Sequence, residues 1–310
     1  METISNKKEL LLNFTGWIMI GFAFLIAMAV PYLTLPLSDA IMSAVPGQGV
    51  LKAPFDILIN MFVNGTLVFW IIKRSAYSGY KLFIQLFLIV FLVQTFQTQI
   101  ETAYFISGFP LLKGNFETYM LILRGAMGAL IFAGLSVLIS LLIRSKAQLK
   151  TFDTSTDRIV RKALWLNAVY VILYMLFGYF VAWQSREVRL FYGGPEHLNS
   201  LFGQWRNSLI DMPELPFFQY CRGFLWIGCL VPFFRGFTGG RRELVILSAL
   251  ILGLIPTVQL FYPNPLMPSG VSVYHFVEVT VSNGIFGAIT AWLIPVQIPA
   301  VLSGKQGSVS

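Results

Sequence analysis

An apolar segment near the C-terminus, residues 271–295, carries two ionisable side chains one helical turn apart. His275 and Glu278 lie at positions i and i+3, and Ser282 follows at i+7, so a helix places all three on one face. A charged side chain inside a bilayer costs free energy, and a pair of them therefore predicts a function or a structural partnership. Histidine ionises near neutral pH, which favours a proton-exchanging pair.

Other apolar segments carry polar residues with the same helical spacing. One alternative to a functional role is that asparagine and glutamine at these positions join helices by hydrogen bonds, each of which stabilises the bundle by about 0.6 kcal/mol. A structural ion pair between Arg124 and Glu278 is a further alternative to a functional role. The candidate pocket comprises His275, Glu278, Arg124, Arg222, Glu101, Gln97, Asp56, Asn60, Asn64 and Ser282.

The composition indicates a membrane protein. Of the 310 residues, 56% are hydrophobic and 12% are charged, whereas soluble domains are roughly 25% charged. The net charge of +8 could indicate nucleic-acid binding. The chain has no long basic run and no surface of alternating aromatics and arginines, so we expect no nucleic-acid partner. Membrane lipids are the expected partners.

Eight apolar runs have the length that a bilayer requires, about 17–25 residues. No small-x-small cleavage site follows the first run, which we interpret as an uncleaved span. We therefore predict an all-α transmembrane bundle of about eight spans. The predicted spans are residues 13–35, 54–72, 82–105, 118–143, 163–183, 216–236, 243–262 and 271–295.

Basic residues are unevenly distributed between the two sets of loops. With the N-terminus inside, most of the 22 Lys and Arg residues lie on the inner side, including those of RSKAQLKTFDTSTDRIVRK between the fourth and fifth spans. The positive-inside rule then predicts that both termini are cytoplasmic. In this topology the candidate residues lie in the outer half of the membrane, and the inner halves are almost purely apolar. We therefore predict a polar pocket that opens outward and is closed on the inner side.

The long basic loop divides the single membrane domain into two four-span halves, residues 1–150 and 151–310. A shift of 162 residues aligns Lys73 with Arg235, and a shift of 154 aligns the fourth span with the eighth. Four spans return the chain to the same side, so such an internal repeat would be parallel. Few identities support the alignment, and a chance match of apolar sequences is the alternative.

Motifs of established catalytic chemistry are absent from the sequence. It contains no nucleotide-binding loop, no GxSxG elbow and no HExxH zinc motif. A catalytic zinc needs three protein ligands, and beside His275 and Glu278 only Glu101 or Asp56 is available as the third. We therefore expect no metal and no cofactor.

The loop between the fifth and sixth spans, GGPEHLNSLFGQWRNSLIDMPELP, predicts a short amphipathic helix. Such a helix is typical of an interfacial anchor, and a lid over the pocket is the alternative. Its apolar residues recur three or four positions apart, and they are Leu198, Leu201, Phe202, Trp205 and Leu209.

Two strings of the second half, FGYFVAWQSREVRLFYGG and PLMPSGVSVYHFVEVTVSNGIFG, resemble uncharacterised multi-pass inner-membrane proteins of bacteria. The resemblance covers most of the C-terminal half, and the segment ETAYF echoes it earlier in the chain. No activity is assigned to that group. The resemblance therefore implies a bacterial inner (plasma) membrane and no particular chemistry.

Three functions fit these observations. The leading hypothesis is a protein that binds or transports a small polar or amphiphilic molecule, which the two halves and the membrane-embedded charges favour. The second is an intramembrane enzyme acting on a lipid head group or lipid-linked substrate at the outer leaflet. In it His275 is the general base, Glu278 or Glu101 orients it, and two arginines, Arg124 and Arg222, bind phosphate or carboxylate. The third is a non-catalytic partner subunit, in which the pair of Arg124 and Glu278 is structural.

Overall fold

The chain folds into long apolar helices that pack side by side. A computed structural model describes residues 2–35, 37–39, 41, 52–109, 112, 115–143, 152–261 and 266–297. Within these residues eight helices are long and apolar enough to cross a membrane, and the protein is a multi-pass membrane protein. The all-α class and the eight predicted spans are confirmed. Numbered 1 to 8, the spans are Lys7–Thr34, Pro54–Lys73, Gly79–Tyr104, Phe116–Ile143, Thr156–Gln184, Leu215–Gly236, Arg241–Phe261 and Ser269–Leu293.

Two shorter helices lie between spans 5 and 6. The turn helix, Arg186–Phe191, is capped by the Ser185 side chain, which accepts a hydrogen bond from the Val188 backbone N–H. The loop helix, Leu201–Asp211, is capped by Ser200 in the same way. The loop helix confirms that the predicted segment is helical, and its role as an interfacial anchor or a lid stays a prediction.

Span 3 contains an irregular turn in its middle. The segment Val90–Phe96 is a π-helix, flanked by the α-helical segments Gly79–Ile89 and Gln97–Tyr104. It packs against spans 4 and 7, and a Cβ atom at Gly125 of span 4 would overlap the Thr95 side chain. π-Turns occur often at functional sites, and this one immediately precedes Gln97 and Glu101.

The helices have corresponding neighbours in the two halves. Span 1 packs on spans 2 and 4, and span 3 packs on span 4; likewise span 5 packs on spans 6 and 8, and span 7 packs on span 8. Across the halves, span 2 contacts span 7, span 6 contacts span 3, and spans 3 and 7 contact each other. This arrangement supports two four-span halves, 1–150 and 151–310, and the division stays a prediction.

A backbone bridge joins the ends of spans 2 and 6. Ala76 N–H donates to Gly236 O at 2.7 Å, and Thr238 N–H donates to Arg74 O at 2.9 Å. The bridging residues, Ser75 and Phe237, are equivalent under the 162-residue shift of the sequence. The bridge therefore has the register that the predicted repeat requires.

Cations cap several helix ends on the side of the bundle where odd-numbered spans begin and even-numbered spans finish. Lys73 Nζ donates to Ile143 O at 3.2 Å, and Arg241 Nη1 donates to Trp292 O at 2.9 Å. Positive side chains at these positions satisfy the last carbonyls and the helix dipole. Strands β1 (Phe152–Asp153) and β2 (Val296–Gln297) pair on the same side. We call this side the basic end and the opposite side the site end.

Candidate functional site

An ion pair between a buried arginine and a partly exposed glutamate joins spans 3 and 6 at the site end. Arg222 Nη1 lies 2.7 Å from Glu101 Oε1, and Arg222 Nη2 donates to Glu101 Oε2 at 2.9 Å. This two-pronged contact is the strongest geometry available to a guanidinium and a carboxylate. The Arg222 side chain is only 4% exposed, and that of Glu101 is 29% exposed.

Local helix geometry supplies further partners for the pair. Gln219 lies three residues before Arg222, and its Oε1 accepts a hydrogen bond from Nη1 at 2.8 Å. Gln97 lies one turn before Glu101; its backbone carbonyl accepts from Arg222 Nη2, and its Nε2 donates to the Arg222 carbonyl. The Arg222 guanidinium also lies 5.8 Å from the Phe218 ring centre. The arginine is therefore held in one orientation.

A second polar cluster links span 8 to the segment after the turn helix. His275 Nδ1 lies 2.8 Å from Glu278 Oε2, and His275 Nε2 lies 3.0 Å from the Tyr192 hydroxyl. With a proton on Nδ1, the neutral ring donates to the carboxylate and accepts from the hydroxyl at Nε2. The result is a hydrogen-bonded chain Tyr192–His275–Glu278, in which Glu278 orients the imidazole.

The two clusters form one site. Phe105 lies one turn after Glu101, and its ring centre is 5.7 Å from that of Tyr192, whose hydroxyl contacts His275. Burial raises the pKa of the Tyr192 hydroxyl above its usual value, and the Glu101 and Glu278 carboxylates raise it further. Both carboxylates therefore lie close enough to Tyr192 to disfavour its ionisation. We use "the site" for Glu101, Arg222, Tyr192, His275 and Glu278.

Span 5 closes one wall of the site. A Cβ atom at Gly178 would lie 3.5 Å from Glu278 Oε1, so the missing side chain leaves room beside the carboxylate. Two turns earlier along the helix, the Tyr170 hydroxyl accepts a hydrogen bond from Trp226 Nε1 at 2.9 Å. The His275 and Glu278 side chains are 17% and 9% exposed. Glu101 and Tyr192 are also partly exposed, whereas Arg222 is buried.

The side chains below Arg222 become apolar turn by turn. Trp226, Leu230 and Phe233 follow Arg222 along span 6 and are at most 1% exposed. They belong to one apolar cluster, which also contains Val93 of span 3 and Ile251 of span 7. Between the site and the basic end, the described side chains therefore form a packed floor.

Several buried polar atoms near Arg222 have no hydrogen-bond partner among the described residues. They include Arg222 Nε, Gln97 Oε1 and both amide atoms of Asn167, a residue that is fully buried against Gly223. Unpaired buried polar groups are rare because each costs about 1–3 kcal/mol. These atoms are therefore available to water or to a ligand.

Arg124 lies outside the site. Its Nη2 donates to the Tyr32 carbonyl at 3.3 Å, and its guanidinium lies 5.0 Å from the Tyr32 ring centre. Span 4 packs on span 1, and this turns Arg124 toward span 1, whereas Glu278 is bound by His275. The predicted ion pair between Arg124 and Glu278 is therefore wrong. The partner-subunit hypothesis loses the contact on which it depended.

The polar stripe of span 2 also lies apart from the site. Asn60 Nδ2 donates to Val258 O of span 7 at 2.9 Å and to Asp56 O at 3.2 Å. Asn64 Nδ2 donates to the Asn60 carbonyl at 3.1 Å. Asn60 and Asn64 are fully buried and join or stiffen helices. Ser282 is buried one turn beyond Glu278 on span 8.

Sequence reasoning missed Tyr192, Gln219, Tyr170 and Tyr174. Gln219 had a detectable signal, since it lies three residues before the candidate Arg222, whereas Tyr170 and Tyr174 lie in span 5, which contained no candidate residue. Tyr192 had no such signal, because it belongs to a loop whose position depends on tertiary packing. In the described part of the chain, no three His, Cys, Asp or Glu side chains come together as metal ligands do.

The fold and the site define an α-helical multi-pass membrane protein with a polar site at one end of the bundle. The chain matches no protein-family model, no curated protein and no solved structure. This agrees with the expectation of a family to which no activity is assigned. The function must therefore be inferred from the site.

Proposed function

We propose that this protein binds a small polar or amphiphilic molecule at the site and carries it across the membrane. The observation that supports the proposal most directly is the chain Tyr192–His275–Glu278 beside the ion pair of Glu101 and Arg222. It combines a group that exchanges protons near neutral pH with fixed charges of both signs.

Stability alone does not account for these charges. Taking a carboxylate and a guanidinium out of water costs several kcal/mol per ion, and an apolar pair of similar volume is often equally stable. Ionisable side chains within membrane spans accordingly mark binding sites and proton paths. The unpaired atoms of Asn167 and Gln97 add polar groups that a bound molecule can satisfy.

The arrangement of the spans supports a carrier in particular. Carriers are commonly built from repeated halves with a site between them, and here spans 3 and 6, from different halves, hold the Glu101–Arg222 pair. The π-helical turn lies where spans 3 and 7 meet, which makes it a candidate hinge. For release on the other side, the packed floor beneath Arg222 must open.

The proposal includes an orientation. The basic residues of the loops support cytoplasmic termini, so the site end would face outward. The resemblance in the second half supports a bacterial inner membrane. Cysteine labelling of single-cysteine variants on intact cells tests the orientation: labelling near Glu196 and protection near Arg74 are expected, and the opposite result reverses it.

Ligand-dependent stabilisation tests the binding function. The purified protein in lipid nanodiscs is screened by thermal unfolding against soluble amines, amino acids, carboxylates and sugars. A ligand at 100 times its Kd stabilises the folded state by about 2.7 kcal/mol. A true ligand shifts the melting temperature of the parent protein and of the control Arg124→Gln, but not that of Glu278→Gln. The proposal fails if no compound produces a shift that depends on Glu278.

Uptake into proteoliposomes then tests transport of any molecule that binds. Accumulation should exceed that in protein-free vesicles and be abolished by Glu278→Gln. Binding without accumulation leaves a binding protein and removes the carrier function.

One observation favours an enzyme as the second candidate. A hydroxyl hydrogen-bonded to an imidazole that a carboxylate orients is the arrangement that activates a nucleophile or a general acid–base pair. Tyr192, His275 and Glu278 form this arrangement at the site end, where a lipid head group would lie. The test compares lipid extracts of cells that carry the parent protein, Tyr192→Phe or His275→Gln. A lipid species whose amount differs between the parent and both variants supports catalysis, and identical lipid profiles refute it.

A further inference from the structure

We propose that the ligand is an organic cation, an ammonium-bearing molecule, which binds beside Glu278 in exchange for the proton of His275. This inference rests on the proposed binding function and adds the charge class of the ligand. It depends on the charge balance of the site, on the rings that surround it and on the competition between one proton and one cation.

The fixed charges of the site leave one carboxylate without a permanent counter-charge. Arg222 neutralises Glu101 through two short contacts. Glu278 has only His275 as its charged partner within the described residues, and His275 balances it only when protonated. With a neutral His275 the site carries one net negative charge, and a monovalent cation restores neutrality.

Other groups around His275 do not change this balance. Tyr174 of span 5 and Tyr192 are neutral near pH 7, and the charged residues of span 7, Arg241, Arg242 and Glu243, lie at the basic end. Arg189 of the turn helix is bound by four backbone carbonyl oxygens, among them those of Trp183 and Glu196. Glu187 lies against Gly270 at the start of span 8 and adds negative charge.

Aromatic rings at the site already stabilise one organic cation. The guanidinium of Arg222 lies 5.8 Å and 5.9 Å from the ring centres of Phe218 and Trp226. The Tyr192 ring centre lies 5.6 Å from that of His275, the partner of Glu278, and the Tyr170 hydroxyl accepts a hydrogen bond from Trp226 Nε1. Ring faces beside a carboxylate favour ammonium ligands, which keep a full charge with little need for hydration.

The exchange follows from the geometry of the chain Tyr192–His275–Glu278. When His275 is doubly protonated, its Nδ1–H balances Glu278, and a second cation would meet like charge. When a cation binds, one proton leaves His275 for the solvent, and the neutral ring still donates from Nδ1 to Glu278 and accepts from Tyr192 at Nε2. No bond other than the N–H of the imidazolium is broken.

Three probes of similar size and different charge test the inference: benzyltrimethylammonium, benzyl alcohol and benzenesulfonate. The full chain is placed in maltoside detergent micelles, which carry neither a net surface charge nor an ammonium group that would compete with the probe. Binding is followed by tryptophan fluorescence, and proton release by a pH indicator in weak buffer. Saturable binding of the ammonium probe is expected, with about one proton released per cation near pH 6 and about none near pH 9.

Two variants and a matched control identify the groups responsible. Glu278→Gln should weaken ammonium binding about 10- to 100-fold, while Glu196→Gln, the same change at the exposed Arg186–Glu196 pair, should leave it unchanged. His275→Gln should retain binding and abolish the proton release, which keeps the test open if Glu278→Gln does not fold.

The outcomes separate this inference from the proposed function. Site-dependent binding of only the neutral or the anionic probe overturns the cation assignment and leaves a binding protein. Binding of none of the three also overturns the cation assignment, and the wider ligand screen then decides the proposed function by itself. Ammonium binding without proton release at any pH overturns the exchange.

Discussion

The ion pair of Glu101 and Arg222 makes an asymmetric prediction about stability. Glu101→Leu removes the carboxylate and leaves a guanidinium that is 4% exposed and cannot lose its charge. Removing one partner of a buried pair costs about 3–5 kcal/mol. We expect about 3 kcal/mol, at the lower end, because Gln219 and the Gln97 carbonyl still accept hydrogen bonds from the guanidinium.

The reverse change should cost less. Arg222→Met keeps most of the side-chain volume and leaves Glu101, whose side chain is 29% exposed and can be hydrated or protonated. The expected loss is about 1–2 kcal/mol, comparable to an unsatisfied polar group. The double variant strands no charge, so its free energy of unfolding should lie within about 1 kcal/mol of the parent value.

Unfolding in mixed micelles titrated with denaturing detergent measures all three variants and the parent. The order of destabilisation should be Glu101→Leu, then Arg222→Met, then the double variant. The reasoning is refuted if the double variant is the least stable, or if Arg222→Met is more destabilising than Glu101→Leu. A stable double variant that no longer binds ligand would show that the pair serves function.

Three further predictions concern other parts of the molecule. Tyr192→Phe should change how stability depends on pH. Because the pKa of Tyr192 is raised above 10.0 in the folded state, its contribution to the free energy of unfolding is complete below about pH 10 and declines as the pH rises further. The melting temperature should therefore fall less in the variant than in the parent between pH 8 and 11, and an identical fall contradicts the prediction. Gly125→Val should destabilise the protein by about 1–3 kcal/mol because the valine side chain overlaps Thr95. The control Gly240→Ala should have little effect, since there is open space around its Cβ. Equal melting temperatures for the two variants would contradict the prediction. Asn60→Leu should cost about 1–3 kcal/mol by leaving the Val258 carbonyl without its donor, with ligand binding unchanged, and a loss of binding in the folded variant would place span 2 at the site.

The spans were predictable because bilayer thickness sets their length and hydropathy is a local property of the chain. Their ends were less so: span 5 begins at Thr156 rather than 163, because its first turn is polar and Asp157 lies there. The π-helical turn at Val90–Phe96 left no signal in the sequence, since it depends on contacts with spans 4 and 7.

Helical periodicity also predicted which polar residues share a face of one helix. His275 and Glu278 do contact each other, since positions i and i+3 are neighbours on any helix. The same periodicity places Gln97 next to Glu101 and Gln219 next to Arg222. These relations are local, and the sequence by itself determined them.

Only the tertiary structure decided which faces meet. Arg124 and Arg222 look alike in the sequence, because each is a single arginine within an apolar segment. Span 4 packs on span 1, and Arg124 therefore contacts Tyr32. Span 6 packs on span 3, and Arg222 therefore contacts Glu101. The physical reason is that close contact between helix backbones decides which helices are neighbours. At Gly253 of span 7, for example, a Cβ atom would lie only 2.7 Å from the Thr280 carbonyl oxygen of span 8. Such contacts join residues far apart in the chain, and periodicity within one segment carries no information about them.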